Sequence, residues 1–208
     1  MTDELVFYTN PMSRGRIARW MLEETGADYR TELLDYGSTM KAEAYLSVNP
    51  MGKVPAIVHN GRVVTECAAI CAYLAESFPD AGLAPRAEER ADYYRWLFFA
   101  AGPLEQAVTN NWAKFVPGDD QAMMFGYGSY DRAVDVLEYA VSRNPYIAGE
   151  RFTAADVYVG SSVAWGTQFG TLPGRDAFAA YVARVTDRDA YRRATELDDA
   201  AMPEQAPA

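Results

Sequence analysis

Asn49-Pro50-Met51-Gly52-Lys53-Val54-Pro55-Ala56-Ile57-Val58-His59-Asn60-Gly61-Arg62-Val63-Val64-Thr65-Glu66-Cys67 is the stretch around which the chain is organised. Asn-Pro and Met-Gly are turn dipeptides, so a loop closes there and an extended run begins. Asn60-Gly61 joins residues 56–59 to 62–65 as a two-residue hairpin, the strongest short-range signal for such a turn. Thr65-Glu66 then opens an apolar-periodic helix. Pro55 has no N–H to give a strand ladder and forces Val54 to be extended, which leaves the Val54 backbone to pair with something from outside. Glu66 and Cys67 stand where the helix begins, and unpaired N–H groups and the positive dipole end there attract a carboxylate. With Lys53 as a point charge at the other end, the stretch suits a short extended peptide bearing acidic groups at both ends.

The rest of the chain sets bounds on this reading. Half of its 208 residues are apolar, enough to bury a sizeable core. A formal net charge of −10 opposes nonspecific attraction to nucleic acid or anionic membrane, so neither is an expected partner, and an anionic ligand needs a local positive site. No apolar run is as long as a membrane span, and Met1-Thr2-Asp3-Glu4 is acidic where a signal peptide is basic, so a cytoplasmic protein is expected. Cys67 and Cys71 stand four apart on one helix face, a geometry that disfavours a disulfide, and their spacing is not Cys-x-x-Cys. His59 has no Cys or His nearby, so it reads as a surface histidine and no metal is expected. Arg14, Arg16 and Arg19 form a local basic cluster that reads either as steering an anion or as an ordinary solvated face.

Taken in order, residues 5–8 suit a buried strand, and Asn10-Pro11 ends it. Ile17, Trp20 and Met21 recur at helical spacing, with Ser13 placed to cap the helix and Gly26 to end it. Residues 29–34 form a second strand candidate, and a short helix over 40–46 leads into the organising loop. The order strand, helix, strand, helix, strand, strand, helix resembles a thioredoxin-like α/β domain, placed at residues 1–79. The Pro- and Gly-rich residues 80–85 suit a linker, and residues 86–208 read as an all-α domain. There Gly102-Pro103 should bend a long helix, Val134, Leu137 and Val141 mark another, and Thr153 with Asp156 forms a capping-box-like start. The tail from 200 to 208 is expected to fray.

Asn49-Pro50-x-Gly52-Lys53-Val54-Pro55, Thr65-Glu66-Cys67-x-x-Ile70-x-x-Tyr73-Leu74, the run from Ser13 through Glu24, and Phe152-Thr153-Ala154-Ala155-Asp156 together resemble the cytosolic glutathione S-transferases, most of all bacterial members of the serine type. The resemblance implies the glutathione transferase architecture, glutathione as co-substrate, a small hydrophobic electrophile as second substrate, and a homodimer. The thiol of glutathione is mostly protonated at neutral pH, and a hydroxyl donor beside a helix N-terminus stabilises its thiolate. Ser13 stands there and matches the family's serine, although any serine at that point also serves as an N-cap. Tyr8 is the alternative donor, since family members that use tyrosine carry it at the end of the first strand; it also reads as a packed strand-end aromatic. Asn10, in the same loop, is a third candidate or a turn residue.

By the same resemblance Val54 and Pro55 line the glutathione backbone, Glu66 meets the γ-glutamyl amine, and Lys53 and Lys41 meet the glycine carboxylate, against the reading that both lysines are solvated. Cys67 replaces the serine that usually helps hold the γ-glutamyl carboxylate, and a thiol is the weaker donor. Residues 10–13 contain no cysteine, which argues against the mixed-disulfide chemistry of other members. Met12, Trp112, Phe115 and Trp165 are candidates for the second-substrate pocket or for ordinary core. Other chemistry compatible with this site is glutathione-dependent isomerisation, dehalogenation or peroxide reduction, and the fold also serves non-catalytic binding modules.

Overall fold

Leu5–Thr9 forms β1, and its apolar side chains are buried because the strand is flanked on both edges. It pairs in parallel with β2 (Arg30–Leu33) and antiparallel with β3 (Ala56–His59), which pairs antiparallel with β4 (Arg62–Thr65), so the sheet order is β2-β1-β3-β4. Asn60 and Gly61 have φ of 52° and 77°, the two left-handed residues that a type I′ turn demands. The turn sets Ala56 opposite Thr65 and His59 opposite Arg62. The coordinates come from a computed structural model and describe residues 4–118 and 120–203. They divide into two compact units, Met1–Gly82 with Arg188–Ala208, and Leu83–Asp187.

In the first unit, α1 (Gly15–Thr25) buries Ile17, Trp20, Met21 and Leu22 and ends at Gly26, which has φ of 65° and donates its N–H to the Glu23 carbonyl. A Cβ at residue 15 would lie 1.9 Å from Thr9 Oγ1, so any other residue there requires the Thr9 side chain to move. A 3₁₀ turn over Thr39–Lys41 precedes α2 (Glu43–Leu46), and α3 (Cys67–Ser77) follows β4. The last helix, α9 (Asp189–Ala200), belongs with α1 in this unit, where sequence order had placed it in the helical domain. Arg19 Nε meets Asp198 at 2.7 Å with both side chains buried, Arg188 and Arg193 of the α9 segment pair with Glu24 and Glu23, and Trp20 packs edge-on against Tyr191. The basic cluster read in α1 is therefore divided: Arg19 pairs with Asp198, Arg16 pairs with Asp199 at 2.8 Å, and Arg14 is exposed. Burial opposes the Arg19 charge, but Asp198, with Tyr29 behind it, outweighs that and raises its pKa.

His59, expected at the surface, is buried; its Nδ1 lies 2.9 Å from the Tyr73 hydroxyl and its ring stacks on Phe78. Position 59 is on the inward face of β3, and the imidazole finds there a polar partner and two aromatic rings. Of the tail expected to fray, residues 204–208 lie outside the described residues, and α9 runs to Ala200.

The second unit holds α4 (Arg90–Phe99), α5 (Glu105–Trp112), α6 (Tyr130–Arg143), α7 (Ala154–Gln168) and α8 (Asp176–Thr186). Between α4 and α5 the chain makes a π turn over Ala100–Leu104 around Pro103, which is how it absorbs the missing N–H. α7 is its central helix, and small residues such as Gly160 and Ser161 are buried along it. The capping box is present: Asp156 accepts from Thr153 N and Oγ1, from Ile147 N and from the Tyr181 hydroxyl at 2.7–3.0 Å. Thr153 and Asp156 are thus structural residues.

Candidate active site

The loop before β3 is held by side chains that converge on one carbonyl. Tyr45 Oη and Asn49 Nδ2 donate to the Lys53 carbonyl at 2.6 and 2.7 Å, while Asn49 Oδ1 accepts the Met51 N–H and the Asn49 carbonyl the Gly52 N–H. Gly52 has φ of 56°, and its carbonyl accepts Lys41 Nζ at 2.5 Å. These bonds present Val54, half-buried and followed by a cis peptide bond to Pro55, at the mouth of β3. Among the described residues no hydrogen bond engages the Val54 N–H or carbonyl. Asn49 is legible in the sequence as a turn residue, but Tyr45 as its co-anchor is not; the only hint is their four-residue spacing across a helix end.

Glu66 is exposed, with φ of 63° and ψ of 115°, and precedes α3 without a side-chain cap for the helix. A non-glycine residue at that φ and ψ costs on the order of 1–3 kcal/mol and is retained where surrounding structure imposes it. The Glu66 side chain thus gives the first-turn N–H groups of α3 no acceptor, and among the described residues no ion pair engages its carboxylate. The Cys67 thiol is engaged elsewhere in the chain: Sγ donates to the Arg14 carbonyl at 3.6 Å, and the residue is buried. Its hydrogen bond with Cys71, together with burial, pushes the Cys71 thiol up. Both cysteines are free.

The loop at residues 10–13 leaves β1 and enters α1. Asn10 is buried; Nδ2 donates to the Leu34 carbonyl at 2.8 Å and Oδ1 accepts the Met12 N–H at 2.9 Å, so its amide holds the loop. Ser13 Oγ donates to the Asn10 carbonyl at 2.6 Å and accepts the Gly15 N–H at 2.9 Å. It therefore serves the first turn of α1 from one residue before Arg14, which is the helix cap position. The Tyr8 ring packs 5.4 Å from that of Tyr45, against a small core of Met40, Tyr45 and Ala56.

Lys53 is exposed, whereas the Lys41 ammonium is engaged by the Gly52 carbonyl. Met12 is exposed in the first unit; in the helical unit Trp112 and Phe115 are exposed and Trp165 is half-buried. An open, mostly polar cleft of about 540 Å³ lies elsewhere in the first unit, lined by residues including Arg19, Glu23, Tyr29 and Arg193. None of the residues named for the peptide lines it, and of its charged groups Arg193 pairs with Glu23 while Arg19 pairs with Asp198. Among the described residues no group of three or more His, Cys, Asp or Glu side chains is placed to hold a metal ion, and no helix is long and apolar enough to cross a membrane.

The thioredoxin-like sheet thus carries, just before β3, a residue whose backbone is unpaired among the described residues and which is followed by a proline. The profile of the glutathione S-transferase N-terminal domain matches residues 12–77. Glutathione S-transferase GstA of Escherichia coli O157:H7 is 28% identical over 173 residues, covering 80% of this chain and 85% of its own. A solved glutathione transferase from Methylococcus capsulatus strain Bath superposes with a TM-score of 0.76 at 27% identity, covering 94% of this chain and 99% of that one. A sphingomonad glutathione S-transferase, solved in complex with glutathione, gives 0.74 at 26% identity, with 93% and 98% covered. Over most of its length the chain is thus similar to glutathione S-transferases.

Proposed function

We propose that this protein is a glutathione transferase that binds glutathione along Val54, stabilises its thiolate and promotes attack on small hydrophobic electrophiles. The observation that carries the reading is the unpaired Val54 backbone, presented by a loop that Tyr45 and Asn49 hold at the Lys53 carbonyl. The cysteinyl backbone of glutathione pairs with Val54, the γ-glutamyl group reaches Glu66 and the start of α3, and the glycine carboxylate goes to Lys53. Lys41 joins it by leaving the Gly52 carbonyl or acts only by holding that carbonyl. At Cys67 the backbone N–H serves the γ-glutamyl carboxylate, because the thiol is directed at Arg14. Assembly as a homodimer is part of the same proposal and rests on family resemblance.

Ser13 is the proposed donor to the sulfur. Its proton lies on the Asn10 carbonyl, so it must rotate toward the thiolate; the carbonyl then keeps the Ser13 N–H at 3.0 Å and is not left unsatisfied. The thiol proton goes to solvent, the thiolate forms the carbon–sulfur bond, and the electrophile's leaving group departs with the displaced electron pair. The protein contributes binding, orientation and thiolate stabilisation. The same Ser13–Asn10 bond favours a second reading, a non-catalytic binding module in which Ser13 only shapes the loop.

Calorimetry with glutathione at neutral pH, coupled to ultraviolet difference spectroscopy of the thiolate, tests both. Binding with a thiolate signal is expected, and binding without one supports the module. In Ser13→Ala the bound thiol pKa should rise by about one pH unit and kcat should fall roughly tenfold or more, with affinity nearly unchanged. An unchanged Ser13→Ala variant beside an impaired Tyr8→Phe would move the role to Tyr8.

A further inference from the structure

The loop that carries Ser13 is fixed by more than its own sequence. Each of its carbonyls has an assigned donor: Asn10 O takes Ser13 N and Oγ, Met12 O takes the Tyr36 hydroxyl at 3.2 Å, and Ser13 O takes Arg16 N at 3.3 Å. The Pro11 carbonyl takes Arg16 Nε at 2.6 Å. Proline fixes its own φ, so the direction of this carbonyl, which sets ψ, is the soft torsion at residue 11. Arg16 holds that torsion, and Arg16 is itself held, because its NH2 meets Asp199 Oδ1 on α9 at 2.8 Å. The planar guanidinium joins the two contacts rigidly, which a lysine ammonium on a flexible stem cannot reproduce.

We infer that Arg16 is a positioning residue for the thiol site: anchored by Asp199, it sets the Pro11 carbonyl and through it the placement of Ser13. The inference rests on the proposed role of the loop in holding the glutathione thiol. The other ion pairs between α1 and the α9 segment, Arg19–Asp198, Arg188–Glu24 and Arg193–Glu23, hold the two together without touching residues 10–13. Docking of α9 thus does not require Arg16, and the Arg16 bridge connects the docked helix to the loop. Displacements of a reacting group by an ångström suffice to lower rates, so the effect should appear in the chemistry more than in glutathione binding, whose other contacts lie at Val54 and Glu66.

The test compares Arg16→Gln, Arg16→Lys, Asp199→Asn and, as an ion-pair control, Arg193→Gln, all in the full-length chain. The readouts are the pKa of bound glutathione from ultraviolet titration, kcat and KM for glutathione, and melting temperature. Arg16→Gln should raise the bound thiol pKa by about one pH unit and lower kcat roughly tenfold while KM moves less than about twofold. Arg16→Lys should recover part of both, Asp199→Asn should shift both in the same direction by less, and Arg193→Gln should change melting alone. If wild type shows no bound thiolate, the reading of the site fails and this inference with it. If wild type shows one and the pKa and kcat of Arg16→Lys and Asp199→Asn match wild type, Arg16 is an ordinary ion-pair residue and only this inference is overturned. Those two conservative variants decide the matter if Arg16→Gln does not fold.

Discussion

Asp156 and Glu66 are both acids at the start of a helix, and they are used in opposite ways. Asp156, at the head of α7, is fully buried and accepts four hydrogen bonds, so the donors of that region are satisfied from within the chain. Glu66, at the head of α3, is exposed, sits at a φ of 63° and caps nothing. A helix start with its acceptor built in stabilises the fold. One held in an uncommon conformation, whose N-cap side chain makes no capping bond, contributes no such internal acceptor, and under the proposed function its donors serve the ligand.

The largest expected effect comes from removing the internal acceptor. Asp156→Ala strands the Ile147 and Thr153 N–H groups and the Tyr181 hydroxyl, and should lower stability to urea by roughly 3–5 kcal/mol. A loss below about 1 kcal/mol would abolish the contrast with Glu66.

A pH series sharpens the same point. Burial pushes the Asp156 carboxyl up to about 6 despite its four donors. The folded protein therefore binds this proton more tightly than the unfolded chain, whose Asp titrates near about 3.9. The resulting stabilisation, at most on the order of 3 kcal/mol, is complete below the unfolded pKa and is lost as pH rises through the folded value. Urea unfolding of wild type and Asp156→Asn should show wild type losing relative stability between about pH 4 and 7. Glu89, held below the ordinary carboxylate range by Arg151, works in the other direction: its contribution is present above its unfolded pKa and lost as pH falls through its folded value. It is common to both proteins and cancels in the difference.

At the other pole, Glu66→Gly exchanges a strained residue for one that tolerates φ above zero, so stability should stay within about 1 kcal/mol of wild type. Glutathione affinity by calorimetry should nevertheless fall roughly tenfold, since a charge-assisted bond is lost. Destabilisation as large as that of Asp156→Ala would make Glu66 a structural residue. The smallest effect belongs to Cys67→Ser. A hydroxyl is a better donor than a thiol, and a gain of about 0.5–1 kcal/mol should tighten glutathione binding a few-fold; unchanged affinity would mean that the backbone alone makes that contact.

The local features were legible in the sequence because their causes are local. Asn60-Gly61 specifies a left-handed pair of residues, Gly26 a left-handed helix end, Thr153 with Asp156 a reciprocal cap, and Asn49-Pro50 through Pro55 a loop that leads into a strand. Charge and burial depended on partners far along the chain. Arg19 and Asp198, 179 residues apart, neutralise each other, so one arginine of a cluster that is basic on paper is in a buried ion pair in the fold. His59 is inside because β3 turns it toward Tyr73 and Phe78, and Lys41 is engaged because the turn at Gly52 brings a carbonyl to it.

The sequence by itself determined the order of elements, the hairpin, the caps and the residue types from which a glutathione site could be assembled, since φ preferences and hydrogen-bonding groups are properties of residues and near neighbours. Only the tertiary structure decided that α9 packs on α1, that Arg16 spans Asp199 and the Pro11 carbonyl, and that the Ser13 proton lies on Asn10, because each depends on where distant backbone and side chains meet.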